Sequence, residues 1–331
     1  MRYWLTSGRG TERVAASPFI MKNFLVLAFL CFGVVQCYSQ GKPTLPPPPA
    51  GVEMVQDVEI GQGGGRALHA IIAYPKGKAT AAMPAVLLIH GGGWIHGSPA
   101  EFLPAAYALA QRGYFAACTE YRLSDEAKWP AQIEDCKLAV RWVRANASKY
   151  HVNPEKIGCW GDSAGGHLVA CLGTMDDPKL DGTGGYPGVS SKVEAVSDWC
   201  GPTDFTDGNF GNGSETVTAT MKQFDVGLLN GLFGATFAQK PEVYKKASPL
   251  LWVKAGDPPF LIVNGDHDEI VATVQGIKIY DALRKAGVPA QLIIVKYGGH
   301  GMGSPPDEPA ASPSMVELLN AVFGFFDKWL K

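Results

Sequence analysis

Three side chains in this 331-residue sequence have the types and order needed to make a nucleophile. Ser163 sits in Gly161-Asp162-Ser163-Ala164-Gly165, between an apolar run (157–160) and a helix-like run (167–174). Gly-x-Ser-x-Gly in a strand–turn–helix context forms a turn that tolerates little side chain two positions before and after the serine. Such a turn pushes the hydroxyl out at the carboxyl end of a strand. It also aims the N–H of Ala164, at the helix start, where an oxyanion would form. A serine hydroxyl is a poor nucleophile at neutral pH and needs a base within hydrogen-bond reach. His300, in Tyr297-Gly298-Gly299-His300-Gly301, can take the proton, and a carboxylate must hold its other ring nitrogen. Asp266, Asp268 and Glu269 compete for that part. Asp268 is preferred because it lies further past the strand end, where a loop can turn it toward His300. Asp266 could instead shape the turn through its own backbone. Order alone leaves the two open.

The five-residue pattern by itself is weak, since Gly and Ser are common. It gains weight from its partners. Among the histidines at 69, 90, 96, 151, 167, 267 and 300, only His300 lies in a glycine-flanked loop after a late strand. His267 follows the wrong strand for the base, and His167, in the helix after Ser163, reads as structural. His90-Gly91-Gly92-Gly93 supplies the second oxyanion donor, with Gly92 and Gly93 joining Ala164. One such donor is worth about 3 kcal/mol of barrier. A phosphate-binding loop is excluded here, because no Gly-Lys-Ser/Thr follows and no GxGxxG opens a helix. His90 shapes the loop.

Elements of two periods must position these residues. Runs at 52–60, 67–74, 84–89, 114–121, 157–160, 193–199, 259–264 and 291–295 read as strands. Runs at 102–111, 131–149, 167–175, 226–233, 241–246, 271–286 and 313–331 read as helices. The first two strands form an edge hairpin, and the rest alternate with helices. That pattern means a mostly parallel sheet of about eight strands with helices on both faces. All three reactive residues then follow carboxyl ends of strands, the edge where such sheets place their sites. The stretch 201–250 is too long for a plain loop. With the glycine-rich 176–190 segment it reads as a small lid-like insertion or pocket wall near the site.

Composition narrows the partners. Hydrophobic residues make up 46% and charged residues 18%, an ordinary globular balance. A net charge of −2 with no basic run gives no sign of a nucleic-acid or anionic-membrane partner. Residues 1–20 read as an upstream extension and Met21 as the start. About 21–39 reads as a signal peptide, with a short apolar run (24–35) ahead of Cys37-Tyr38-Ser39. The expectation is a secreted or periplasmic protein with no stable membrane span in the mature chain. Lipidation at Cys37 ranks second, because Gln36 stands where a small residue is expected. A proline-rich linker (40–51) precedes a catalytic domain at 52–331. Cys118, Cys136, Cys159, Cys171 and Cys200 show no CxxC or Cys/His spacing, so no metal is expected, and most read as small buried apolar residues.

HGGGW (90–94), YRLS (121–124), PAQIEDCKLAVRW (130–142), GDSAGGH (161–167), GPTDF (201–205) and GGHG (298–301) together resemble the α/β-hydrolase esterases of the hormone-sensitive-lipase type. Within these the chain is most similar to small carboxylesterases that include bifunctional feruloyl and acetylxylan esterases. The resemblance spans about 52–331. It implies an α/β-hydrolase fold and a cofactor-free serine carboxylesterase acting through an acyl-enzyme. Short acyl, acetyl or feruloyl esters are the implied substrates, free or on plant polysaccharide. By position in the pattern, Ser163, Asp268 and His300 match the triad, and Gly92, Gly93 and Ala164 the oxyanion donors. Two features depart from it. Asn264-Gly265 stands where many relatives carry His-Gly, and only the proline linker precedes the first strand, leaving no room for cap helices. The pocket is therefore expected to be open and set by Trp94 and the 201–250 insertion. A serine peptidase, an arylesterase or lipase, and a catalytically silent binding protein on the same fold are the alternatives. Oligomeric state is not legible.

Overall fold

In the computed structural model, which describes residues 45–77 and 81–331, the alternating segments Val52–Gly63 and Arg66–Pro75 form an antiparallel hairpin, β1 and β2. Gly64 and Gly65 close it with φ of +59° and +86°, as a tight hairpin turn requires. The expected signal peptide and the start of the linker lie outside the described residues. Met83–Ile89 (β3), Phe115–Thr119 (β4), Val152–Asp162 (β5), Ala195–Trp199 (β6), Phe260–Gly265 (β7) and Ala290–Val295 (β8) complete one sheet. Its order is β1-β2-β4-β3-β5-β6-β7-β8, antiparallel across β1–β2 and β2–β4 and parallel elsewhere. Every residue of β3, β4, β6 and β7 is buried. Successive side chains point to opposite faces, so both faces of the central sheet are covered. This is the α/β-hydrolase fold.

The covering helices are α1 (Leu103–Gln111), α2 (Ala131–Ala145), α3 (Ala147–Tyr150), α4 (Ala164–Thr174), α5 (Ala219–Phe233), α6 (Pro241–Lys246), α7 (Val274–Lys285) and α8 (Met315–Leu330). The two-residue period sorts β5 between them. A Cβ on Gly158 would come within 2.9 Å of Leu330 and Phe326 on α8, and Trp160 meets Phe102 and Phe323 on the same side. Cys159 and Gly161 face α4 instead, where the Cys159 thiol donates to the Val169 carbonyl and Gly161 abuts Gly165. Ser314 caps α8 in a reciprocal capping box with Glu317.

Three expected elements differ. The 131–149 helix divides at Asn146, whose side chain donates to the Trp142 carbonyl and closes α2. α5 starts at Ala219 rather than 226, because Thr218 caps it by accepting from the Met221 N–H. The 176–190 segment does not join the 201–250 insertion. Gly184 accepts from the N–H of Gln62 on β1, and Asp181 pairs with Lys137 and Arg141 of α2, on the far side of the sheet order from β7 and β8.

Close backbone approach gives a stability test. A Cβ on Gly165 would stand 2.0 Å from the Ile89 carbonyl oxygen, whereas one on Gly324, mid-α8, meets nothing within 4 Å. Gly165→Ala is expected to cost about 1–3 kcal/mol as overpacking against rigid backbone. Gly324→Ala is expected to gain about 0.5–1 kcal/mol. Urea unfolding midpoints check both.

Candidate active site

Ser163 stands between β5 and α4 with φ 54° and ψ −119°, a strained conformation for a residue with a side chain. The turn is held by its own N–H, which donates to the Trp199 carbonyl at the end of β6 (2.8 Å), and by the glycines around it. His300 follows β8, and its Nε2 lies 2.9 Å from Ser163 Oγ. Its Nδ1 lies 2.9 Å from Asp268 Oδ2 and 3.1 Å from Oδ1. Asp268 is wholly buried, and Oδ1 also accepts the N–H groups of Ile270 and Val271. Of the competing carboxylates, Asp268 is the one hydrogen-bonded to the His300 ring; Asp266 Oδ1 lies 2.6 Å from His267 Nδ1. Glu269 accepts the backbone N–H of His300 and so braces the base loop. Thr216, from the 201–250 insertion, donates to the Asp268 carbonyl (2.6 Å). Neither contact was legible in the sequence, because each depends on loops meeting in space.

The glycine loop after β3 lies against this turn. A Cβ on Gly91 would reach within 3.2 Å of Ser163 Cβ and 3.1 Å of Asp162 Oδ2. Gly92 and Gly93 have φ of +98° and +58°, and among the described residues no carbonyl or side chain takes up their N–H groups. Ala164 opens α4, where first-turn N–H groups have no partner within the helix. Tyr121 anchors the loop: its hydroxyl donates to the His90 and Gly91 carbonyls, and its ring stacks on His90 at 4.4 Å. Burial pushes the His90 and His167 pKa values down to about 4, so both rings are neutral supports, as expected from the sequence.

Trp94 is not where the sequence suggested. It is 1% exposed and packs edge-on against His167, Phe205 and Phe210. The insertion delivers Phe205 and Phe210 into the core, and the indole fills the space between them and α4. Leu228 of α5 lies against Gly93, so the insertion forms a packed wall beside the loop. The open space is elsewhere. A groove of about 370 Å³ runs from His300 and Asp162 along Phe102, Trp160, Trp199 and Phe323.

Charge in the site is unevenly paired. Burial opposes a protonated His300, but the Cys200 sulfur and the Asp268 carboxylate outweigh it and raise the histidine well above its usual value. Burial also raises the Cys200 thiol, which therefore stays neutral. Asp225 on α5 is fully buried, and neither of its oxygens meets a hydrogen-bond donor of the protein. Burial, more than the opposing influence of His300, lifts its pKa from 3.8 to about 7. The folded chain thus holds this proton where the unfolded chain has released it, and stability falls as pH rises from about 4 toward 7. Asp225→Asn is expected to melt above the parent chain, by a margin that grows between pH 5 and pH 8. Calorimetric melting temperatures across that range check it.

Comparison with known proteins shows which family the chain resembles. The family model described as BD-FAE matches residues 72–283. Esterase LipQ of Mycobacterium tuberculosis is 30% identical over 233 residues, which is 70% of this chain and 53% of that protein. The chain spans about half the length of the curated relatives it matches first. Among solved structures, a truncated carbohydrate esterase from gut microbiota superposes with a TM-score of 0.69 at 28% identity, covering 85% of this chain and 98% of that one. The butyrate-bound esterase Est2 of Thermogutta terrifontis superposes with a TM-score of 0.67 at 26% identity, covering 84% and 94%. The motifs from HGGGW to GPTDF fall inside the matched family region, the structural matches extend the likeness across the sheet, and the chain therefore belongs to the BD-FAE family, within the α/β-hydrolase esterases of the hormone-sensitive-lipase type.

Proposed function

We propose that this chain is a serine carboxylic-ester hydrolase that works through an acyl-enzyme. The observation that carries the reading is the line Ser163 Oγ–His300 Nε2 at 2.9 Å and His300 Nδ1–Asp268 at 2.9 Å, on a serine held in a strained turn. As Ser163 Oγ attacks the ester carbonyl carbon, its proton passes to His300 Nε2. Asp268 holds the ring in orientation and stabilises the imidazolium. The negative oxygen of the tetrahedral intermediate takes hydrogen bonds from the N–H groups of Gly92, Gly93 and Ala164, a reading supported by their lack of a protein acceptor among the described residues. Collapse expels the alcohol, which takes the proton from His300. Water then repeats the sequence and frees the acid. No step calls for a cofactor.

Short acyl esters, including acetyl and feruloyl groups carried on plant polysaccharide, are the proposed substrates. The butyrate bound to the Thermogutta enzyme and the carbohydrate esterase among the relatives support this, and the aromatic groove beside His300 has room for a larger arm of the ester. We further propose export, with residues 21–39 as the signal peptide, to be checked by the N-terminal sequence of the extracytoplasmic protein.

Substitutions separate the roles. Ser163→Ala is expected to lower kcat by about 10⁶ and Asp268→Asn by about 10⁴, while Asp266→Asn stays near the parent value. Unchanged ester hydrolysis in Ser163→Ala would sink the mechanism. The base must be neutral to act, so activity falls as pH drops through the His300 pKa. The acidic limb of kcat/KM is expected above 6.5 and should move to lower pH in Asp268→Asn. For substrate class, p-nitrophenyl acetate and butyrate, acetylated xylan and methyl ferulate are expected to be cleaved and aminoacyl-peptide substrates spared. Preferred turnover of the peptides would favour a peptidase instead.

A further inference from the structure

Cys200 takes no part in ester hydrolysis, yet it stands against the acid and the base. It follows β6 with φ 45°, and its thiol donates to the His300 carbonyl (3.3 Å). The Cys200 sulfur, a carboxylate oxygen of Asp268 and a ring nitrogen of His300 all lie within 4.8 Å of one another. The three come from loops after different strands: β6, β7 and β8. Cys200 and Asp268 are buried, and Cys200 and His300 both border the groove, which gives a small ion a way in. Cys200 is a free thiol, as are the other four cysteines among the described residues.

Thiolate, imidazole and carboxylate are the ligand types zinc prefers, at bond lengths of about 2.0–2.3 Å that set its ligand atoms about 3.3–3.8 Å apart. The present spread, from 2.9 Å between His300 Nδ1 and Asp268 Oδ2 up to at most 4.8 Å across the three groups, brackets that spacing. The geometry points to a binding site for a thiophilic divalent cation such as Zn²⁺ at Cys200, Asp268 and His300, one that switches the triad off. On binding, the S–H bond breaks and its proton leaves to solvent, and bonds from the metal to sulfur, nitrogen and oxygen form. Any proton on the ligating ring nitrogen moves to the other nitrogen or to solvent. One thiolate and one carboxylate then balance the two positive charges, so the buried site carries no net charge, which is why a divalent ion suits it. Hard cations such as Mg²⁺ select oxygen ligands and have no use for the sulfur. Bound metal takes Asp268 and His300 out of service together, so the ester-cleaving rate falls without any change in fold.

The inhibition rests on the esterase reading, but the binding does not, and two measurements on the full chain keep them apart. Co²⁺ titration of the apo protein is expected to give a thiolate-to-cobalt charge-transfer band in the near ultraviolet, absent from Cys200→Ser and Cys200→Ala. Micromolar Zn²⁺ is expected to slow p-nitrophenyl acetate hydrolysis, with recovery on adding EDTA and no effect of Mg²⁺. Altering groups around a metal site already costs about 10- to 100-fold in affinity, and losing a ligand costs at least as much. The Zn²⁺ concentration for half inhibition should therefore rise at least about tenfold in Cys200→Ser, with each variant scored against its own uninhibited rate. A cobalt band that survives in both variants, or equal zinc sensitivity in Cys200→Ser and the parent, overturns the site. A chain that shows the band but cleaves no ester overturns the proposed function and leaves the site standing.

Discussion

The chemistry of this site depends on how closely backbone can approach backbone at the carboxyl edge of the sheet. Ser163, Asp268 and His300 follow three different strands, and a hydrogen-bonded line through them needs those strand ends packed almost without side chains. Gly165 sits so near the Ile89 carbonyl that a Cβ would come within 2.0 Å, and Gly265 is as close to the Gly298 carbonyl. The first contact locks the Ser163 turn to β3, which leads into the Gly91–Gly93 loop. The second locks the end of β7, ahead of Asp268, to the loop that carries His300, and the His267 N–H donating to the Gly298 carbonyl continues it. Each glycine weakens its own segment in the unfolded-to-folded balance. The rest of the sheet offsets that cost by burying β3, β4, β6 and β7 completely.

Those same contacts leave little room for water, and the charges respond. Asp162 and Asp225 are pushed up by burial, and His300 is pulled up by Asp268 in spite of it. Asp268 meets the imidazole and the backbone N–H groups of Ile270 and Val271. Asp225 has no such donors. Its cost is one of stability, and the helix that carries it is retained because Leu228 and the residues beyond it wall the loop at Gly93.

Ser163 and His300 could be picked out in the sequence because each is announced locally, by a glycine-bounded turn and a glycine-flanked loop, whereas chain order left Asp266 and Asp268 both open. The sheet could be read as well, since its strands are continuous apolar stretches. What could not be read was anything set by meeting at a distance. β5 begins at Val152, five residues before its apolar half; Asn153-Pro154-Glu155-Lys156 carries no strand pattern, and only the pairing of Met83 with Val152 reveals the strand. Trp94 adjoins the oxyanion glycines in the chain, which suggested a pocket residue. Its partners Phe205 and Phe210 arrive from the insertion more than a hundred residues later and convert it into core. The 176–190 segment looked like part of that insertion by composition alone, but its acid at Asp181 is claimed by Lys137 and Arg141.

The contacts that set the chemistry and those that set the space for substrate are of different kinds. Ser163, His300 and the glycine loop after β3 are placed by main chain, at glycines where a Cβ has no room. The groove beside His300 is bounded by side chains of α1, α8 and the ends of β5 and β6, with Phe102, Trp160 and Phe323 meeting edge to face. Exchanging a ring there for a smaller apolar group changes the volume without touching the backbone that orders Ser163. The fold can therefore vary what it accepts while the reacting line stays fixed. The insertion has the opposite character: it touches Asp268 through Thr216 and Gly93 through Leu228. Change in that wall reaches the chemistry directly, which makes the groove, and not the insertion, the part of this site that is free to diverge.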